Sequence, residues 1–331
     1  MNTAPTMDQM RADPAPPVPA ADAFCSSYAE ITQVRAQDPG RIRRLAAVRA
    51  RRSLNPDLDS YASGLARESR GATPSDRKLL IIAADHPARG ALGVGNDPYA
   101  MHSRTDLLDR LLEALAVPGV DGVLGTPDVL EDLLLCGALE NKVVFGSMNR
   151  GGLQGGTWEI EDRFTAYDAA TLDSFGFNGG KMLTRINHAD ERTSTALDLC
   201  AHAISDLARR QLIAMVEPFL TVRDGDQLIN DLSPEAVITS IHIAQGLGHT
   251  SAYTWLKLPA VRDMERVMDA TTLPTVILGG NPSGDPEAAY ASWQRALDLP
   301  TVRGLVIGRS LLYPGDDDVR QAVSIAADMI G

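Results

Sequence analysis

The sequence has little lysine. Of its 31 basic residues only four are lysine, at Lys78, Lys142, Lys181 and Lys257, and the rest are arginine. Arginine-rich coding alone can produce such a ratio, so the positions of the four carry more information than the count. The chain is also short of positive charge overall. Its 43 acidic residues leave a net charge of −12, which excludes nucleic acid as a partner for most of the surface. Three cysteines, Cys25, Cys136 and Cys200, are odd in number and far apart, so no disulfide framework is expected and a reducing cytoplasm is the expected location. No apolar run approaches the roughly 18 residues needed to span a bilayer, and residues 1–24 lack the basic start and apolar block of a secretory signal. The six histidines form no H-x-x-x-H or comparable ligand pair, so no metal or other cofactor is expected. Walker-type and G-x-G-x-x-G loops are missing after the first apolar run, which removes the usual dinucleotide and nucleotide sites.

What is present is an alternation. After residue 75, eight short apolar runs alternate with amphipathic stretches, at 78–86, 120–126, 143–149, 180–186, 212–219, 254–259, 275–280 and 304–309. Each has the length of a buried parallel strand. Between them, Leu107, Leu108, Leu111, Leu112 and Leu115 recur at helical spacing behind Ser103 or Thr105 as N-cap, and 234–246 follows Ser233 in the same way. Eight repeats of strand and helix is the count that closes an α/β (β/α)8 TIM barrel, whereas open doubly wound sheets usually stop sooner. Three regions are expected: residues 1–23 as a disordered Pro/Ala/Asp-rich arm, 24–75 as an N-terminal helical extension, and 76–331 as the catalytic barrel. The arginine-rich stretch from Arg41 to Arg52 reads as the solvated face of a helix packed on the barrel.

In a barrel the chemistry lies at the C-terminal ends of the strands. There the first run ends in Asp85 and His86, and the third in Asn149 and Arg150. The fourth carries Lys181 and Arg185, the fifth Glu217 and the sixth Lys257. The seventh ends in Gly279 and Gly280, and the eighth in Gly308 and Arg309. Strands four to six are neighbours, so Lys181, Glu217 and Lys257 converge at the mouth. Burial and a neighbouring cation both lower the pKa of a lysine and make it a nucleophile towards carbonyls, while a glutamate between two lysines shuttles protons. Schiff-base chemistry needs that set. A merely structural ion network is the alternative reading of the same residues. Lys78 and Lys142, at strand starts, read as rim residues.

This pattern resembles the class I, Schiff-base fructose-bisphosphate and tagatose-bisphosphate aldolases. The likeness rests on Asp85, Lys181, Glu217 and Lys257, on ILGGNPSGDPEAA at 277–289 and on VIGRSLL at 306–312. It spans roughly 76–315. The stretch 149–168 is similar to a group of aldolase-like barrels associated with inositol catabolism. The resemblance implies that Lys257 forms the imine, that Lys181 and Glu217 move protons, and that Asp85 holds the hydroxyl whose deprotonation starts carbon–carbon cleavage, with no metal. It further implies that Gly279, Gly280, Gly308 and Arg309 bind phosphate. Asn149, Arg150 and Arg185, with Arg89, are the candidates for the other end of the substrate, where a carboxylate would suit 2-deoxy-5-keto-gluconate 6-phosphate. Three departures stand out: Leu278 replaces the serine before the glycine pair, the third strand offers Asn149 and Arg150 instead of a lysine, and no long tail supplies a tyrosine. The expected partners are a small phosphorylated sugar and further copies of the chain. The rivals are a metal-dependent aldolase, a deoxyribose-phosphate aldolase, transaldolase or aldolase-like acyltransferase, and a non-catalytic sugar-phosphate-binding barrel.

Overall fold

The computed structural model describes residues 23–52, 78–149, 153–225, 227–280 and 286–331. Alternation inside each apolar run explains the architecture. On β1 (Leu79–Ala84), Leu79, Ile81 and Ala83 face one way, and Leu80, Ile82 and Ala84 face the other. Side chains of successive strand residues point to opposite faces, so a strand apolar on both must be covered on both. The first set joins Leu124, Val143, Phe145, Met215, Trp255, Val276 and Val306 in a compact inner cluster, and the second packs against the surrounding helices.

The strands that follow are β2 (Gly122–Gly125), β3 (Val143–Ser147), β4 (Gly179–Ile186), β5 (Ile213–Asp224), β6 (Gln227–Asn230), β7 (Thr254–Pro259), β8 (Thr275–Leu278) and β9 (Val302–Ile307). Eight of them are parallel, and the pairings β4–β5 and β1–β9 close the circuit into a (β/α)8 barrel. The ninth strand, β6, was not expected. The fifth apolar run continues past residue 219 to Asp224, turns at Gly225 and returns as β6, antiparallel to the outer half of β5. This hairpin stands above the mouth.

Local signals place the helices. Ser103 accepts from Asp106 N at 3.2 Å to cap helix Arg104–Ala116, whose Leu107, Leu108, Leu111, Ala114 and Leu115 are buried. Ser233 does the same for helix Pro234–Gln245. Helices Tyr28–Gln37 and Gly40–Arg52 precede the barrel. Arg35 is bound to Asp132 at 2.8 Å. Arg49 departs from the solvated-face expectation, because it is buried, donates to the carbonyls of Leu139 and Lys142 ahead of β3, and lies over the Phe177 ring. The expected arm and the second half of the expected extension, at 53–75, lie outside the described residues, apart from position 23. Among the described residues no helix is long and apolar enough to cross a membrane.

Candidate active site

Each strand that carries a candidate residue continues its inward-facing set one step further. On β5, Ile213 and Met215 are followed by Glu217; on β7, Trp255 is followed by Lys257; after Leu79, Ile81 and Ala83 comes Asp85. Below this level the barrel interior is apolar, and here it turns ionic. Lys181, Glu217 and Lys257 meet as the strand order implies, and Asp85 joins them. Lys181 Nζ lies 2.8 Å from Asp85 Oδ2 and 2.5 Å from Glu217 Oε2, and Lys257 Nζ lies 2.8 Å from Glu217 Oε1. The four residues are buried.

The two amines differ in their company. Burial works against the charge on both. Lys181 faces two carboxylates, whose attraction outweighs desolvation and raises its pKa. Lys257 shares one carboxylate with a second cation, so desolvation prevails and its pKa is lowered. Burial pushes Glu217 up, but the two ammonium groups bring it down to about 2. Asp85 is likewise raised by burial and then held far below the usual carboxylate range by Lys181, with smaller help from His86 and Lys257. His86, beside Asp85 at 3.8 Å, is driven down to about 4 by burial, against the pull of Asp85, and is neutral at neutral pH.

A cavity of about 480 Å3 opens over this cluster, with Gly279, Gly280, Gly308 and Arg309 in its wall. Gly308 must be glycine, since a Cβ there would stand 2.6 Å from the Ala83 carbonyl oxygen. Gly280 adopts φ +71°, a left-handed conformation costly for other residues. Arg309 donates to Gly93 O at 3.0 Å, while its Nε is buried with no partner among the described residues. A larger cavity of about 1000 Å3 lies beyond Gly279 and Trp293, but its lining holds Tyr290, Tyr313, Asp316 and Asp317 and no cation, so the ionic chemistry belongs to the smaller one.

Two other candidates are engaged elsewhere. Asn149 uses its amide to bridge strands, accepting from Leu183 N at 2.8 Å and donating to Leu183 O. Arg185 is buried against Asp162 and Glu159, both at 2.8 Å. Arg150 lies outside the described residues. Arg89 does reach the cavity, bound to Asp162 at 2.8 Å and to Asn149 O at 2.8 Å. The sequence reading did not assign His86, Asp162, Asn230 or Leu232 to the site. Asn230 and Leu232 line the cavity from the end of the β5–β6 hairpin, and the Asp224-Gly225 turn between strand-like residues was the available signal for it. Among the described residues no cluster of His, Cys, Asp and Glu is arranged to hold a metal ion.

Geometry of this kind defines a (β/α)8 barrel with a buried lysine–carboxylate–lysine chain at its mouth. Residues 77–327 match the Cgl0159-like family, and the chain belongs to that family. The crystal structure of Cgl0159 from Corynebacterium glutamicum is 45% identical, covering 93% of this chain and 98% of that one, with a TM-score of 0.81. An archaeal fructose-1,6-bisphosphate aldolase, solved with its catalytic lysine bound to the carbinolamine intermediate of its substrate, is 18% identical over 77% of this chain and 94% of its own, with a TM-score of 0.57. A fructose-bisphosphate aldolase from Slackia heliotrinireducens is 13% identical over 84% and 91%, with a TM-score of 0.55. At such identities these aldolases share the fold. No curated protein sequence matches the chain.

Proposed function

We propose that this chain is a class I aldolase, a lyase that cleaves or forms a carbon–carbon bond of a phosphorylated ketose or keto-sugar acid through a Schiff base on Lys257. The observation that carries the reading is the asymmetry of the Lys181–Glu217–Lys257 chain, in which one buried amine is held charged by two carboxylates and the other has its pKa lowered. A structural ion network gains nothing from that difference. A carbonyl reaction needs it, because the nucleophile must be a free amine while its neighbour donates protons.

In cleavage, the Lys257 nitrogen adds to the ketose carbonyl carbon, and the carbonyl oxygen takes a proton to give a carbinolamine. Glu217, which touches both lysines, passes protons between Lys257 and the departing oxygen, with Lys181 as the charged reserve, and loss of water leaves the iminium. Asp85 accepts the hydrogen bond of the hydroxyl two carbons along. As that hydroxyl passes its proton to Asp85, its oxygen forms the aldehyde carbonyl, the carbon–carbon bond breaks, and the electron pair moves to the iminium nitrogen as an enamine. Protonation of the enamine carbon and hydrolysis of the iminium free the second product and Lys257. Gly279, Gly280, Gly308 and Arg309 bind the phosphate through backbone N–H groups and the guanidinium. Asn149 and Arg185 act as struts for the wall, not as substrate contacts. The ketose of inositol breakdown, 2-deoxy-5-keto-gluconate 6-phosphate, falls within this substrate class.

The test is borohydride reduction in the presence of a panel of ketose phosphates, followed by peptide mapping. An adduct on Lys257 that is lost in Lys257→Met is expected. An adduct on Lys181 would reverse the roles, and no adduct with any ketose would end the reading. Activity retained in excess chelator separates this chemistry from a metal-dependent aldolase.

A further inference from the structure

Two guanidinium groups face the cavity on either side of Asp85, and their charge is handled differently. Arg89, in the turn after β1, is 11% exposed and bound to Asp162, whose carboxylate is fully buried. The same carboxylate accepts two bonds from Arg185, which also meets Glu159. Among the described residues two arginines thus meet two carboxylates, and these four side chains together carry no net charge. Arg309, after β9, has no carboxylate within ion-pair distance among the described residues. Its only hydrogen bond there is to a carbonyl, and its Nε is buried without a partner. A partly buried guanidinium whose Nε lacks a partner gains from an anion that reaches it.

We propose that Asp162 is a specificity-determining residue: by neutralising Arg89 it restricts strong anion binding to the Arg309 side. The pocket therefore takes a substrate with a phosphate at one end and a hydroxyl or singly charged carboxylate at the other, and discriminates against bisphosphates. A second phosphate dianion would enter a charge-balanced wall, where each added negative charge finds no surplus cation among the described residues. This deepens the aldolase reading by stating the charge pattern of its substrate, but the charge argument itself needs no carbonyl chemistry.

The test uses hexitol 1-phosphate and hexitol 1,6-bisphosphate, which lack a carbonyl, with binding to the full chain measured by calorimetry. In the wild type the monophosphate is expected to bind at least as tightly as the bisphosphate, and Arg309→Gln should weaken both about tenfold or more. Asp162→Asn leaves the cluster with one uncompensated positive charge and should improve bisphosphate relative to monophosphate by about tenfold. Because Asp162 is buried, Glu159→Gln provides the same charge change at a more open position, with a smaller gain in the same direction. A bisphosphate preference of about tenfold in the wild type, no gain in either variant, or no binding of either hexitol would overturn the proposal. Borohydride trapping on Lys257 reports separately on the aldolase assignment.

Discussion

Lys78 and Lys142, at the start of β1 and just ahead of β3, donate to backbone carbonyls, Lys78 to Val302 O at 2.7 Å and Lys142 to Val120 O at 2.7 Å. Lys181 and Lys257, at the other end of the same barrel, meet carboxylates, Lys181 those of Asp85 and Glu217 and Lys257 that of Glu217. At the floor the amine serves as a donor, a task that any cation of suitable reach performs. At the mouth it is buried against carboxylates whose number differs between the two lysines, and that difference raises the pKa of Lys181 while desolvation lowers that of Lys257. One residue type thus acts as a strut at one end and as a candidate nucleophile at the other, and the distinction comes from the neighbouring charges and not from the side chain.

The sharpest way to break this contrast is to replace lysine with arginine at both ends. Lys257→Arg keeps a charge but cannot form an imine, so aldehyde release should fall by a factor of about a thousand or more, whereas Lys78→Arg and Lys142→Arg should stay within about twofold. Equal losses at both ends would erase the distinction. Next in size is stability. Lys181→Met leaves Asp85 and Glu217 facing each other without their shared cation and should cost about 3–5 kcal/mol in urea unfolding, against about 1 kcal/mol for Lys142→Met, which loses a hydrogen bond to one carbonyl.

A third test uses pH. His86 has its pKa lowered to about 4 in the folded chain, below its unfolded value of about 6.5, so the unfolded state binds more protons between those values and stability falls as pH drops from about 6.5 to 4. His86→Gln should remove about 2 kcal/mol of that loss, a figure reduced because the imidazole is 28% exposed. Glu217 acts in a lower window. Its folded value of about 2 contributes stability above its unfolded value of about 4.3, and this is lost as pH falls towards 2. Stability curves of His86→Gln and wild type that coincide down to pH 4 would show that the mouth does not hold the imidazole neutral.

The barrel was legible because its signal repeats eight times and depends on local alternation, which survives without knowledge of contacts. Asp85, Lys181, Glu217 and Lys257 were legible for a related reason: each is a charge in or beside an apolar run, and the strand count put the runs side by side. The residues whose surroundings differ from expectation failed on direction and partnership. Arg185 sits on the predicted strand but is taken up by Asp162 and Glu159, which come from a loop with no strand period. Asn149 is placed as expected but occupied with Leu183. Asn230 and Leu232 enter through a hairpin that only the extension of β5 reveals.

By itself, the sequence determined the closed parallel barrel, the strand that carries each charged residue and the scarcity of lysine that made two of them conspicuous. These are properties of periodicity and composition, carried by residues close in the chain. Only the tertiary structure decided that Lys181 meets two carboxylates and Lys257 one, and that Asp162 neutralises Arg89 while Arg309 stays unpaired among the described residues. The reason is physical: the state of a buried charge depends on desolvation and on partners within a few ångströms, and here Lys181 finds Asp85 from 96 positions away in the chain.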